Sequence, residues 1–478
     1  MTFDRISQAT TKLAIWNKVL PRRALLSPKA ADLPTCSEKT SVDDEPHISD
    51  TSPAKSSLPC LPAELWTKIF SFLVRIPGSL DTHCVDPFVN SREPYHHDEF
   101  SLEDRLALLR VTTVCRAWKQ ALSELLCEYV VIYSLQSLSI VVERFEASKK
   151  ASLTPNGNGL GVGAWVKRID FRMHRQDTDL PCAESVVRLL QCTPNLEIYV
   201  NSSGMNSRAP RRTNPSVIQA LISCCGKSLK RLDWNFSECP AWGDLAELLR
   251  ATPNLETLRS ITVYGQSIPL SDNTLITLKR LKCISLGMPN NMPPYLPHSW
   301  DPLLSCLSIS PDQLPCLERL DINPFPSEAF FAVHGYKLRI LRTNAADHLP
   351  HLPAALDLSP SLHSLVIPPN LDICLSESHP SIERIGIFPL IEYPVEAPER
   401  IYEAHVVIPL EECLMLLEQM HLPKLRLVKV RNVGSLANVV YHPLLLQFWW
   451  RRWNIRGVRF EDKMGKSFDK IVSGAFIC

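Results

Sequence analysis

Residues able to move protons, attack carbonyls or hold metals are scattered along this chain rather than grouped. The densest set is His83, Cys84, His96, His97, Asp98 and Glu99. Imidazole, thiolate and carboxylate are the donors zinc uses, but zinc sites space their ligands in tight pairs, which this segment does not. His348 and His351 stand among prolines and read as loop residues. Cys224 and Cys225 close an apolar helical run and read as core packing. The glycine-rich stretch NGNGLGVG, residues 156–163, resembles a phosphate loop in composition only. Phosphate loops run strand, glycines, helix, whereas these glycines precede a strand-like run, so the stretch reads as a flexible joint. No Gly-x-Ser-x-Gly, His-Glu-x-x-His or P-loop spacing occurs. The expectation is a non-enzyme with no catalytic residue, no metal site and no cofactor.

Recognition by charge is better represented. Arg168, Asp170 and Arg172 recur in type as Arg231, Asp233 and Asn235, and again as Arg319, Asp321 and Asn323. Adjacent segments add Arg259, Arg342, Asn344, Arg384, Lys429 and Arg431, so that nine of these residues are basic and three acidic. Alternate residues of a strand share a face. If each set lies on a strand, the basic groups form a strip suited to an acidic or phosphorylated segment, because guanidinium pairs bidentately with carboxylate and phosphate. The candidate substrate-binding residues are Arg168, Arg231, Arg319, Arg342 and Arg384. The competing reading is a solvated strand face on which each Arg-x-Asp pair neutralises itself.

The elements that would position this strip come from a repeat. LLQCTPNLE at Leu189–Glu197 returns as LLRATPNLE at Leu248–Glu256. Each is the end of an apolar helix, stopped by proline, with a leucine opening a strand. The strand template, Leu-x-x-Leu-x-apolar, begins at 166, 196, 229, 255, 281, 317, 338, 362, 382, 401 and 425. Most gaps lie near the roughly 20–29 residues of a leucine-rich repeat. The pattern resembles an irregular leucine-rich-repeat solenoid with parallel strands, over residues 165–442, whose third, fifth and seventh template positions face the concave side. Only the copy from Leu362 has the family's Asn at its ninth position, Asn370, so no even asparagine ladder is expected.

Upstream, Leu61–Leu73 reads LPAELWTKIFSFL. Pro62 suits a first helical position and Glu64 the first turn. Leu65, Ile69, Phe72 and Leu73 recur at helical spacing, widened by Trp66 and Phe70. Ser101–Asp104 opens a second helix in the manner of a capping box, carrying Leu102, Leu106 and Leu109. Val114, Cys115, Arg116 and Trp118 begin a third. The L-P-x-E-L start followed by V-C-R-x-W resembles the F-box, a three-helix module that docks on a Skp-type adaptor in cullin–RING ubiquitin ligases. A long insertion over 75–100 departs from the compact form of that family. The resemblance implies adaptor contacts at Leu61, Pro62, Leu65, Ile69, Leu73, Val114 and Trp118.

The implied whole is an α/β chain: a small three-helix F-box followed by an irregular leucine-rich-repeat solenoid. Residues 1–57 read as a disordered tail, 58–130 as the F-box, 131–164 as a linker helix and joint, and 443–478 as a C-terminal cap. The F-box resemblance implies a substrate-recognition subunit of an SCF-type ligase, partnered by a Skp-type adaptor, through it a cullin, and a target protein. The alternative is an interaction scaffold outside any ligase. A net charge of +1 over 478 residues offers no general attraction to nucleic acid or membrane. Phe448, Trp449, Trp450, Arg451, Arg452 and Trp453 interleave bases and rings as nucleic-acid binders do, but an array needs a cap and that reading is preferred. The 16 scattered cysteines, without Cys-x-x-Cys or a secretory segment, point to free thiols in a reducing compartment, cytoplasmic or nuclear.

Overall fold

A computed structural model describes residues 62–74, 78–89, 114, 116–153, 161–173, 180–203, 211–235, 238–265, 275–287, 300–323, 325–343, 351–369, 376–387, 407–430, 443–461, 465 and 467. The chain divides into two compact units: one from 1–79, 100–128 and 143–165, the other from 80–99, 129–142 and 166–478.

In the first unit, α1 (Ala63–Val74) packs against α2 (Arg116–Cys127). The Pro62 carbonyl accepts the Leu65 and Trp66 N–H groups, so proline sits at the helix start, where its missing donor costs nothing. Three rings hold the pair together. Trp66 stacks on Phe70 at 5.5 Å, Trp118 meets Trp66 at 5.1 Å, and Trp118 meets Phe70 edge-on at 5.0 Å. Phe70, Leu122 and Leu125 are buried beneath them. A 3-10 turn, Val162–Trp165, closes the unit; the Val162 N–H donates to Ser148 Oγ at 2.9 Å. The described end of the glycine-rich stretch is thus tied down. The tail over 1–57, Leu61, Cys115 and the helix expected around Leu102–Leu109 lie outside the described residues, as do the side chains of Leu73 and Arg116.

The second unit is α/β, built on one 12-stranded parallel sheet whose strands lie in chain order. They are β1 (Tyr129–Ile132), β2 (Arg168–Phe171), β3 (Ile198–Asn201), β5 (Arg231–Trp234), β7 (Thr257–Ser260), β8 (Cys283–Leu286), β9 (Arg319–Ile322), β10 (Ile340–Thr343), β11 (Ser364–Ile367), β12 (Arg384–Ile387), β13 (Leu427–Val430) and β14 (Arg459–Glu461). Two short strands, β4 (Arg211–Arg212) and β6 (Glu238–Cys239), pair separately. Strands in chain order, each beside its predecessor, are what a solenoid-like repeat produces. Ten of the eleven template copies open a strand at their third position; the copy from 401 lies outside the described residues. β1 and β14 extend the sheet past both ends of the stretch the template marks.

Most strands are separated by a helix: α4 (Leu180–Cys192), α5 (Pro215–Ala220), α6 (Trp242–Ala251), α7 (Asp301–Leu307), α8 (Glu328–His334), α9 (Leu352–Asp357), α10 (Ile408–Gln419) and α11 (Pro443–Ile455). The remaining helix, α3 (Leu135–Ser152), contributes to both units. Neighbouring helices pack on one another, α4 on α5, α5 on α6, α7 on α8 and α8 on α9. Along each strand alternate residues enter the core. One register row runs Ile169, Tyr199, Leu232, Leu258, Ile284, Leu320, Leu341, Leu365, Ile385, Val428, and all are buried. A residue before each strand also pairs by backbone: the N–H of Glu197, Lys230, Glu256, Lys282 and Glu318 each donates to the carbonyl of the equivalent residue one strand earlier. Gly287, just after β8, has φ 66, and a Cβ there would strike the Asn323 carbonyl of the next repeat. Only glycine fits there.

Candidate functional site

The opposite register rows carry the charges. Arg168, Arg231, Cys283, Arg319, Ser364 and Arg384 occupy one row, and Asp170, Asp233, Arg259, Asp321, Arg342 and Lys429 the next. All five Arg residues that the sequence offered for a target therefore sit on one face of the sheet. They are not a solvated strip: Arg168, Arg231, Arg319 and Arg342 are buried, and Arg384 is half-buried.

Each Arg-x-Asp repeat closes on itself as a fork. Arg168 Nε and Nη2 donate to Asp170 at 2.6 and 3.0 Å; Arg231 Nη2 reaches Asp233 at 2.6 Å; Arg319 Nε and Nη2 reach Asp321 at 2.8 and 2.7 Å. Burial pushes the Asp170 and Asp321 carboxyls up, but the guanidinium of Arg168 or Arg319 outweighs it and holds each below the usual carboxylate range. Tyr129 adds a donor, its Oη 2.7 Å from Asp170, and Arg168 lies over its ring at 4.8 Å. Burial pushes this phenol up, with the Asp170 charge helping.

The remaining hydrogen-bonding capacity of this face is taken by the chain itself. Part of the insertion, residues 80–89, lies across the strip as a strap. Arg231 Nη1 donates to the Asp81 carbonyl at 3.1 Å, Arg319 Nη1 to the Val85 carbonyl at 2.5 Å, and Lys429 Nζ to the Phe88 carbonyl at 3.0 Å. Arg384 Nη1 pairs with the Asp86 carboxylate at 2.8 Å and lies over the Phe88 ring at 4.7 Å. Phe88 packs on Val366 and Leu427. Thr82 Oγ1 donates to Glu256 at 2.6 Å, with His83 Nδ1 3.6 Å from the same carboxylate. The Cys283 thiol donates to Cys84 Sγ at 2.9 Å. That bond lowers the Cys84 pKa to about 6 against its burial, and Arg319, Arg259 and Arg231 add their positive fields. The Cys283 thiol is pushed up by burial and by its neighbour Cys84.

Sequence reasoning found the strip but missed its occupant, the Glu256 anchor and the thiol pair. Template alignment puts Cys283 level with Arg231 and Arg319, so its placement on this face was available; that Cys84 would reach it from 199 positions away was not. Among the described residues no group of three or more His, Cys, Asp and Glu could hold a metal ion, and His96, His97, Asp98, Glu99 and His348 lie outside them. No helix among them is long and apolar enough to cross a membrane. A cavity of about 330 Å³ lies beside β3, β4 and β6, lined by Met173, Tyr199, Asn201, Arg211 and Glu238 among others. It gathers none of the residues singled out by the sequence.

The first unit presents the other surface of interest. Leu65 is 45% exposed, Ile69 40%, Phe72 79% and Val114 62%, and Pro62 is exposed as well. Trp118 is half-buried and serves the ring cluster. Inner face and outer face of α1 are thus both apolar, and among the described residues the contacts of α1 within the unit are on the inner one. At the C-terminal end Trp449 and Trp453 are core residues, while Arg452 and Arg456 lie over the rings of α11 and Arg452 bonds Glu418 at 2.6 Å. No protein-family model matches the chain, and no curated protein matches its sequence.

Proposed function

We propose that this protein is a substrate-receptor subunit of an SCF-type cullin–RING ubiquitin ligase. Its F-box-like front docks on a Skp-type adaptor, and its leucine-rich-repeat-like array carries the target. The chain does no bond chemistry; a rigid array raises the local concentration of target lysines near a bound thioester. The observation that carries the reading is the exposed set Leu65, Ile69 and Phe72 on α1 with Val114 just ahead of α2, the two helices being closed inside by Trp66, Phe70 and Leu122. Exposed apolar side chains mark association surfaces; Leu65 and Val114 fall within the L-P-x-E-L and V-C-R-x-W motifs that resemble the F-box, Ile69 is a further position of that resemblance, and Phe72 lies beside them on α1.

The test is co-purification of the full chain with a Skp-type adaptor. Each lost apolar anchor withdraws about 1.5–3 kcal/mol. The double variant Leu65→Asp/Ile69→Asp should therefore weaken adaptor binding at least ~100-fold with an unchanged circular dichroism spectrum. Adaptor affinity equal to wild type in that variant would defeat the reading. Failure of the wild-type chain to co-purify with the adaptor would favour the scaffold alternative, in which the F-box-like helices serve another partner. On the target side, an acidic or phosphorylated segment that uses Arg231, Arg319 and Arg384 has to displace the 80–89 strap.

A further inference from the structure

We propose that Cys84 and Cys283 are a peroxide-responsive thiol pair whose oxidation fastens the 80–89 strap covalently across the sheet. The inference stands apart from the ligase reading, since it concerns only the second unit.

Three observations carry it. The two sulfur atoms, 199 positions apart in sequence, lie 2.9 Å apart, and a disulfide needs only a further approach to about 2.05 Å. Cys84 is half-buried and so open to a small oxidant, while Cys283 is 4% exposed and faces it from β8. The surroundings favour an anion: Arg319, Arg259 and Arg231 direct positive charge at the Cys84 sulfur, and Cys283 donates a hydrogen bond to it. A cysteine held partly as thiolate beside a second thiol has the arrangement of a peroxidatic and a resolving cysteine.

The chemistry balances with hydrogen peroxide as the two-electron oxidant. The Cys84 thiolate attacks one peroxide oxygen, the O–O bond breaks, and Cys84 becomes a sulfenic acid as hydroxide leaves and takes a proton to become water. Cys283 sulfur then attacks the sulfenic sulfur, the S–O bond breaks, and the thiol proton leaves with the departing hydroxide as a second water. Two thiols and one peroxide give one disulfide and two waters.

Without the bond, the strap is held by carbonyl oxygens on Arg231, Arg319 and Lys429, one Asp86–Arg384 pair, the Glu256 contacts and Phe88. With it, Cys84 can no longer leave β8. The oxidised strap then stays over the cations of the sheet whatever competes for them.

The experiment exposes the full-length chain to a small molar excess of hydrogen peroxide at neutral pH. Peptides are mapped without reduction, and hydrogen exchange of the strap amides is compared before and after. The expected result is one dominant cross-linked peptide joining residues 84 and 283, reversed by dithiothreitol, with slower exchange over 81–89. In Cys283→Ser the cross-link disappears and dimedone traps a sulfenic acid at Cys84; in Cys84→Ser neither product forms. Absence of the 84–283 peptide, or its appearance no faster than pairs among the other cysteines, overturns the thiol pair. A cross-link that leaves strap exchange unchanged overturns the fastening.

Discussion

The Arg-x-Asp forks show how far a side chain's meaning depends on the atoms two residues away. On sequence alone Arg319 is a cation free to meet a phosphate. In the fold both partners are buried, the fork is complete, and the spare Nη1 is held by Val85. Breaking one partner of a buried pair leaves an uncompensated charge and costs about 3–5 kcal/mol. Asp321→Asn should therefore lower the urea midpoint by that order, far more than a substitution at the exposed Arg459. Titration follows the same logic. Asp170 and Asp321 have folded-state pKa values below their unfolded ones, which lie near 3.9. Their contribution to stability is complete above that value and is lost as pH falls through the folded values. The midpoint should hold down to about pH 4 and drop below it, and the drop should be smaller in Asp321→Asn. Glu238 has the opposite sign. Burial raises its pKa against a hydrogen bond from Asn201 and the charge of Arg211, so its contribution is present in acid and lost as pH rises through the folded value. Glu238→Gln should raise the melting temperature at neutral pH and leave it unchanged in acid, as a pH series by calorimetry would report. The face on which these residues lie was legible from strand alternation. The Arg-x-Asp pairing was legible too, as the reading that competed with a target-binding strip; the burial of the forks and the strap that holds their spare donors were not, because an i, i+2 pattern carries no sign of a segment that covers it from far away in sequence.

At the scale of elements, the best-read feature was the repeated helix stop of the TPNL segments, and its mechanism explains why. In LLQCTPNLE the Thr193 hydroxyl donates back to the carbonyls of Leu189 and Leu190, and Thr252 does the same to Leu248 and Leu249. The Leu190 and Leu249 carbonyls also accept the Thr193 and Thr252 N–H groups, so carbonyls at each helix end are satisfied within the motif. The Leu196 and Leu255 N–H groups then bond the Thr193 and Thr252 carbonyls, turning the chain into its strand. Elsewhere Ser359 and His379 stand before Pro360 and Pro380 in the same place. His379 Nε2 lies 3.1 Å from the Ser359 carbonyl, linking one such turn to the next. Thr252→Val keeps the shape but removes the donor, and should cost about 1–3 kcal/mol, measurable as a lowered urea midpoint at unchanged slope. A second regularity went unread. The residues just before the strands run Lys167, Glu197, Lys230, Glu256, Lys282, Glu318, alternating in charge, with Lys230 Nζ 2.9 Å from Glu197. Single-copy templates judged on apolar positions pass over such a row, because the alternation exists only between copies. β1 and β14 were missed as members of the sheet because neither carries the Leu-x-x-Leu-x-apolar template that marks the copies.

At the scale of the second unit, a sheet with strands in chain order makes stability a neighbour-to-neighbour property. An insult at one end should stay near that end, and the C-terminal edge allows a clean test. Trp453 is 1% exposed on α11, which packs on β14; β14 in turn pairs with β13. Trp453→Ala removes a large buried ring, a change that costs about 3–5 kcal/mol in a core. In a domain with one cooperative core, that loss would raise hydrogen exchange everywhere by the same free energy. Here the loss should instead fall on α11, β14 and β13, with β2, β3 and β5 keeping their protection, since seven strands separate β5 from β14 in the sheet order. The 80–89 strap complicates this in an informative way. It touches Arg231 on β5 and Lys429 on β13, and so couples repeats that share no strand pairing. If the strap transmits the disturbance, exchange in Trp453→Ala should rise at Asp81 and Thr82 as well as near β13. Adding Phe88→Ala, which frees the strap from Val366 and Leu427, should confine the change to the edge again. Exchange that rises uniformly through β2 to β14 in both variants would mean that the array unfolds as one body and that the strap carries none of the coupling.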